Sequence, residues 1–264
     1  MTYLMFSIDN NKINILSCRE KEKNMRYFGG KARVATPLSQ FLNSQLKEGQ
    51  PFVDLFCGSC NVITKIDNDR VRIANDKHKY LIAMWKELQS GWIPPTNLTQ
   101  EEYQYIKENK EDKPYLTGFV GFGCSFAGKW FGGYARTSVD RNENFCLSSH
   151  RSCLSKIDKM LNVSFNNGDY LSVDIPVGSL VYCDIPYKNA TPYCKNEVGI
   201  FNHDEFYQWV RDNSDKYDIY ISEYLKNVPD DFEIVWTYQS NKEIRDKDGI
   251  RQPTTEVLMK YKSR

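Results

Sequence analysis

Phe52-Val53-Asp54-Leu55-Phe56-Cys57-Gly58-Ser59-Cys60 runs from a short apolar strand into a loop of small residues. Val71-Arg72-Ile73-Ala74-Asn75-Asp76 is a second apolar strand, and it too ends in an acid. Around these strands the period changes. Leu38, Phe41, Leu42 and Leu46 fall at helical spacing before them, and Tyr80, Leu81, Met84, Trp85 and Leu88 mark a helix face after them. Further strands are predicted over 180–183, 219–222, 233–238 and 256–261. A helix is predicted between 184 and 219. Asn202 caps it, Glu205 lies three residues on, and Phe206, Trp209 and Val210 form its buried stripe. Strands alternating with helices predict an α/β fold around a largely parallel sheet.

The 264 residues, 41% hydrophobic and 14% aromatic, suffice for one good core and a smaller subdomain. The net charge of +1 excludes an overall basic field but not a local patch. There is no run of eighteen apolar residues, so no membrane span is expected. The start, Met1-Thr-Tyr-Leu-Met-Phe-Ser-Ile-Asp9, lacks the pattern of a signal peptide. A cytosolic location with eight reduced cysteines follows as the expectation. Residues 1–24 read as an N-terminal extension, its front part a β-hairpin and its charged end a linker.

Cys57-Gly58-Ser59-Cys60 has C-x-x-C spacing. A redox reading needs a thioredoxin-like context and a zinc reading needs a second pair, and the sequence supplies neither. Two small residues filling a tight loop is the plainer account, and no metal is expected. His78, His150 and His203 are scattered and read as surface or capping residues.

The chemistry gathers at strand ends. Leu180-Val181-Tyr182-Cys183 leads into Asp184-Ile185-Pro186-Tyr187, which brings an acid to the carboxyl edge of the sheet, where open α/β folds bind ligands. Pro186 stiffens the turn, so the Ile185 carbonyl points in a fixed direction. Asp184 and that carbonyl are two acceptors suited to an amino group, and Tyr187 offers a ring face to a flat heterocycle. Upstream, Gly58 and Ser59 let a ligand lie against the loop backbone. Asp76, twenty-two residues beyond Asp54, is positioned to cap ribose hydroxyls. The pair alone would serve NAD or S-adenosylmethionine. Asp54 at the strand edge repels pyrophosphate and attracts amino and sulfonium groups, so the reading leans to S-adenosylmethionine.

Residues 93–144 break the rhythm. Pro94-Pro95 opens them, and Thr99 with Glu102 forms a capping box for a helix to about Lys110. Gly118 to Arg136 then holds six glycines, six aromatics and two cations in nineteen residues, which argues against a core helix. Aromatics with cations suit bases and phosphates, and a buried glycine-rich packing loop is the other reading. Lys129, Trp130, Tyr134 and Arg136 are the candidates of this type, for contact with bases or phosphates.

With these motifs in order, the chain resembles the D12-class, Dam-like, adenine-N6 DNA methyltransferases over roughly residues 26–264. Tyr27-Phe-Gly-Gly-Lys31 looks like the family's aromatic-x-G-G-K motif. Asp54-x-Phe56-x-Gly58-Ser59-Cys60 looks like its D-x-F-x-G-[SA]-G loop. Asp76 matches the acid of the second strand, Asp169-Tyr170 resembles the segment that reaches the cofactor adenine, and Asp184-Ile185-Pro186-Tyr187 looks like DPPY. Cys60 replaces the loop's last glycine and Ile185 the first proline. Cys60 threatens to crowd the cofactor if it needs a positive φ.

The resemblance implies a Rossmann-like S-adenosylmethionine-dependent methyltransferase with a mixed, mostly parallel central sheet. The catalytic domain would be residues 25–92 and 145–264, with a small, mainly helical target-recognition subdomain inserted at 93–144. It implies double-stranded DNA as partner, base flipping and a place in DNA methylation or restriction-modification. Lys31, Asp54, Asp76 and Asp169 would hold the donor. Asp at 184 favours adenine over cytosine-N4 and glutamine acceptors. RNA adenine, and a DNA-binding module without catalysis, are the competing readings.

Overall fold

The computed structural model describes residues 30–136, 144–188, 198–245 and 251–262. The expected extension at 1–24 and the Tyr27 end of the first motif lie outside the described residues. The chain forms α1 (Ala35–Gln45), β1 (Phe52–Asp54), β2 (Arg72–Asp76), α2 (Lys79–Gln89), α3 (Gln100–Glu108), α4 (Pro114–Gly123) and α5 (Phe145–Leu154). It continues through α6 (Ile157–Met160), β3 (Val163–Asn167), β4 (Leu180–Cys183), α7 (His203–Asn213), β5 (Asp218–Tyr224), β6 (Phe232–Arg245) and β7 (Arg251–Tyr261).

The seven strands form one sheet in the order β3-β2-β1-β4-β5-β7-β6. The first five of that order pair in parallel, and β7 runs antiparallel to both its neighbours. The mixed, mostly parallel, Rossmann-like sheet expected from the sequence is therefore present.

Short strands here read as unbroken apolar runs because both faces are covered. Successive side chains point to opposite faces. Phe52, Leu180 and Tyr182 pack with Leu38, Leu42, Trp85 and Phe119 on one face. Val53, Val181 and Cys183 pack with Phe206 and Val210 of α7 on the other. Each fully buried large side chain contributes roughly 1.5–3 kcal/mol relative to exposure.

Two helix starts form as their sequences dictate. Thr99 and Glu102 close the capping box of α3 reciprocally. The Asn202 side chain accepts from Glu205 N at the start of α7. Three elements, α5, α6 and β3, were not anticipated. Asn144 caps α5 by accepting from Leu147 N. β3 alternates only at Val163 and Phe165, too brief a pattern to stand out.

The expectation that Gly118–Arg136 avoids a core helix is corrected. Residues 114–123 are helical, and Thr117 through Gly123 are buried. The glycines that lower helix propensity are what allow the packing. A Cβ on Gly118 would stand 2.1 Å from the Tyr80 carbonyl oxygen, and one on Gly121 would stand 2.2 Å from the Trp130 ring. α4 thus lies against α2 at backbone distance, in the same apolar cluster as β1 and β4. Beyond α4 the chain doubles back, with Ser125 bridged antiparallel to Tyr134.

Gly118→Ala tests this packing. Helix propensity alone favours alanine by about 1 kcal/mol. The clash is with backbone, so α2 and α4 must separate, and the net effect is a loss of about 1–3 kcal/mol in urea unfolding. An unchanged or raised midpoint would contradict the close approach.

Candidate active site

The order of the strands creates the site. From β1 the sheet grows outward through β2 to β3, then the chain returns to β4 on the other side of β1 and continues to β5. The strands flanking such a reversal leave a crevice at their carboxyl ends. Asp54 closes β1, Asp76 closes β2 and Asp184 follows β4. All three line one cavity of about 450 Å³, together with Lys31. That size suits a ligand of nucleoside scale or somewhat larger.

The small-residue loop after β1 is held from several sides. Cys57 N donates to Asn75 O at 2.8 Å, and Trp85 Nε1 donates to Gly58 O at 2.9 Å. Asp76 accepts from Gly58 N at 3.0 Å and from His78 N at 2.8 Å, tying the loop to the end of β2. Beneath it, the buried Lys156 ammonium donates to Ser59 O at 2.5 Å and to Asn61 Oδ1 at 2.7 Å. Gly58 has φ 47° and Cys60 φ 54°. The left-handed conformation costs a non-glycine residue roughly 1–2 kcal/mol. The crowding expected of Cys60 does not arise, because its side chain is fully buried in the core behind the loop. Cys60 therefore acts on the cavity only through the loop backbone.

Buried acids dominate the electrostatics. Asp54 is buried and its Oδ1 lacks a hydrogen-bond partner. Burial first, then the neighbouring Asp184 and Asp76 charges, push its carboxyl well above the usual range. Burial also lifts Asp76 to about 6, against the pull of its two backbone donors.

Lys31 is the compensating cation. Its ammonium lies 3.0 Å from Asp184 Oδ1 and 3.3 Å from Glu256 Oε2. It also donates to the Tyr187 hydroxyl and stands 4.3 Å from the centre of the Tyr187 ring. Burial opposes the Lys31 charge, but Asp184 and Glu256 more than offset it, so the ammonium titrates above the usual lysine value.

Most of the residues singled out in the sequence converge here. Phe56, Gly58, Ser59, Asp169 and Tyr170 line the cavity with the three acids and Lys31. Pro186 and Tyr187 line it as well, while Ile185 is buried behind the turn. Phe56 and Tyr170 form an aromatic wall, with ring centres 5.9 Å apart, completed by Phe201 at 5.7 Å from Phe56. Asp169 is partly committed to structure, accepting from Lys77 Nζ at 2.8 Å and Leu171 N at 3.2 Å. Burial works to raise its carboxyl, and those donors hold it below the usual value.

Lys129, Trp130, Tyr134 and Arg136 do not line the cavity. The Trp130 ring is corrected to a packing role. It stacks on Tyr80 at 5.4 Å and meets His78 at 4.2 Å and Phe122 at 4.8 Å. The Tyr134 hydroxyl is used on Leu98 O at 2.6 Å. Lys129 and Arg136 are exposed. His78, read as a surface or capping residue, is buried beside Trp130, and its side chain makes no cap.

Sequence reasoning missed Glu256 and Phe201. The signal for Glu256 was available: it stands in a run whose next residues, Val257, Leu258 and Met259, are all buried. An acid entering a strand covered on both faces needs a cationic partner. Among the described residues no group of three or more His, Cys, Asp or Glu could hold a metal ion. No helix among them is long and apolar enough to cross a membrane.

Comparison with solved structures finds loose overlaps. A "putative RNA methyltransferase" from Pyrococcus horikoshii is 9% identical, with 86% of this chain and 82% of that chain covered and a TM-score of 0.37. A precorrin 8W decarboxylase from Methanobacterium thermoautotrophicum is 10% identical, with 90% and 96% covered and a TM-score of 0.36. SMU.472, a "putative methyltransferase" complexed with SAH, is 11% identical, with 90% and 55% covered and a TM-score of 0.36. Overlaps this loose carry no argument about function. No curated protein matches in sequence.

The sequence itself is more specific. Residues 27–121 match the family model described as D12 class N6 adenine-specific DNA methyltransferase. The matched stretch contains Tyr27, Lys31, the Asp54–Cys60 loop and Asp76, and ends before Asp169 and the Asp184–Tyr187 turn. On this match, the chain is a methyltransferase that uses S-adenosylmethionine.

Proposed function

We propose that the chain transfers the methyl group of S-adenosylmethionine to the N6 amino group of an adenine flipped out of duplex DNA. One observation carries the reading. The buried Asp54 carboxylate, with an oxygen left unpartnered, shares a single cavity with Asp184 at the neighbouring strand end. A seat for a cationic group and an acceptor for an amine thus stand in one enclosure. The family description over residues 27–121 supports the same acceptor.

When bound, S-adenosylmethionine supplies a methyl group on a positively charged sulfur. The chain does the rest by holding and orienting. Asp54 attracts the positive end of the donor and Asp76 accepts from ribose hydroxyls. Phe56 and Tyr170, on one wall of the cavity, would meet the donor's adenine, and Lys31, Asp169 and the Gly58–Ser59 backbone would help hold the donor. Asp184 and the Ile185 carbonyl accept from the target amine, whose lone pair is otherwise delocalised into the ring. Two acceptors favour a pyramidal nitrogen and stabilise the positive charge that grows on it. Tyr187 stacks on the base, and the shared cavity keeps the reactants in line. The stretch after α4 faces the duplex, with exposed Lys129 and Arg136 meeting phosphates.

Asp184→Ala tests the catalytic assignment. Incorporation of labelled methyl groups into duplex DNA should fall by about 100-fold or more, as for loss of a charge-stabilising group, while donor binding persists. Incorporation equal to wild type would remove the assignment. Incorporation into RNA alone would change the acceptor, and DNA binding without incorporation would leave a binding module.

Asp76 gives a pH test. Its carboxyl is raised to about 6, so it gains a proton as the pH falls through that value and stops accepting from two hydroxyls. Donor affinity measured calorimetrically between about pH 5 and about pH 8 should weaken below about 6. Asp76→Asn should bind more weakly and without that dependence. Wild-type affinity flat across the range would contradict the assignment.

A further inference from the structure

Lys31 stands where the proposed substrate has to go. Its ammonium is 3.0 Å from the Asp184 carboxylate, the acceptor that the target amine needs. It also donates to the Tyr187 hydroxyl, 4.3 Å from the centre of the ring on which a base would stack. A flipped adenine therefore meets its acceptor already taken by a buried cation that also holds the hydroxyl of its stacking ring. Cations can be moved in a low-dielectric site only if a counter-charge receives them, because an unpaired buried ammonium is too costly.

The structure supplies that counter-charge. Glu256, on β7, lies 3.3 Å from the same ammonium, on the opposite edge from Asp184 along the β4-β5-β7 order. It is paired across the sheet with Tyr224, whose ring meets Tyr187 edge-on at 4.4 Å. Tyr224 backs Tyr187, so the ring has a fixed support while Lys31 moves.

We infer that Glu256 is a positioning residue: it receives the Lys31 ammonium when the target base enters, clearing Asp184 and releasing the Tyr187 hydroxyl. In the empty enzyme Lys31 stands in for the substrate amine and keeps Asp184 paired beside Asp54 and Asp76. On base entry the ammonium shifts a short way onto Glu256. The amine then takes its place on Asp184, so that no charge is left buried without a partner. Loss of Glu256 leaves Lys31 with Asp184 as its remaining carboxylate, and the base must compete against a tighter pair.

This inference rests on the methyl-transfer reading, and the test separates the two. Steady-state kinetics on duplex DNA would compare wild type, Glu256→Gln, Glu256→Asp, Lys31→Met and the Lys31→Met/Glu256→Gln double variant, with donor affinity measured alongside. Glu256→Gln should lower kcat/KM for DNA by about tenfold or more with donor affinity within about twofold of wild type. Glu256→Asp should recover part of the loss. In the Lys31→Met background, Glu256→Gln should have little further effect, because the cation it serves is gone. A merely structural Glu256 would lower donor affinity and DNA kinetics together and add its full effect in both backgrounds, and that result overturns the inference. So does an active wild type whose Glu256→Gln variant is equally active. A wild type that methylates no DNA removes the underlying reading and this inference with it.

Discussion

The site depends on burying several acids at neighbouring strand ends beside the Lys31 ammonium. Asp54, Asp76 and Asp184 come together because β1, β2 and β4 are adjacent and parallel, so their carboxyl ends point the same way. Burial first, and then the neighbouring like charges, favour protonation, which is why Asp54 and Asp76 both titrate high. Lys31 contacts the Asp184 carboxylate directly. The arrangement is unfavourable as structure and suited to binding a ligand that brings positive charge. Strain of this kind, offset by a well-packed sheet, is typical of functional sites.

Packing keeps that charge in place. The loop after β1 is fixed by Asn75, Asp76, Trp85 and Lys156, from three different parts of the chain. Asp76 serves both as a loop anchor and as a carboxylate on the cavity, which leaves lone pairs for a ligand after its two backbone donors. The two departures from the family's motifs are absorbed in different ways. Cys60 adopts the positive φ that glycine would, with its thiol turned into the core. Ile185 is buried and offers the same backbone carbonyl that proline would, while Pro186 keeps the turn stiff.

The core strands, the helix caps and the ring of acids were legible because each follows from local rules. Apolar runs ending in acids mark β1, β2 and β4, and the Thr99 and Asn202 caps follow from hydrogen-bonding chemistry within four residues. The misreadings were of non-local origin. Gly118 and Gly121 lower helix propensity, yet α4 is helical because those positions meet Tyr80 and Trp130 from distant parts of the chain. Trp130 looked like a base-stacking residue because composition cannot show that Tyr80, Phe122 and His78 already enclose it. Glu256 was passed over because its partner, Lys31, lies 225 residues away.

The central claim is that one cavity joins the donor's seat at Asp54 to the amine acceptor at Asp184. A crystal structure with S-adenosylhomocysteine and a DNA duplex tests it most directly. The account predicts the sulfur compound against Asp54 and Asp76, and an extrahelical adenine with its amino group hydrogen-bonded to Asp184. A nucleoside bound away from those acids, or an Asp184 carboxylate walled off from the bound sulfur, would contradict it.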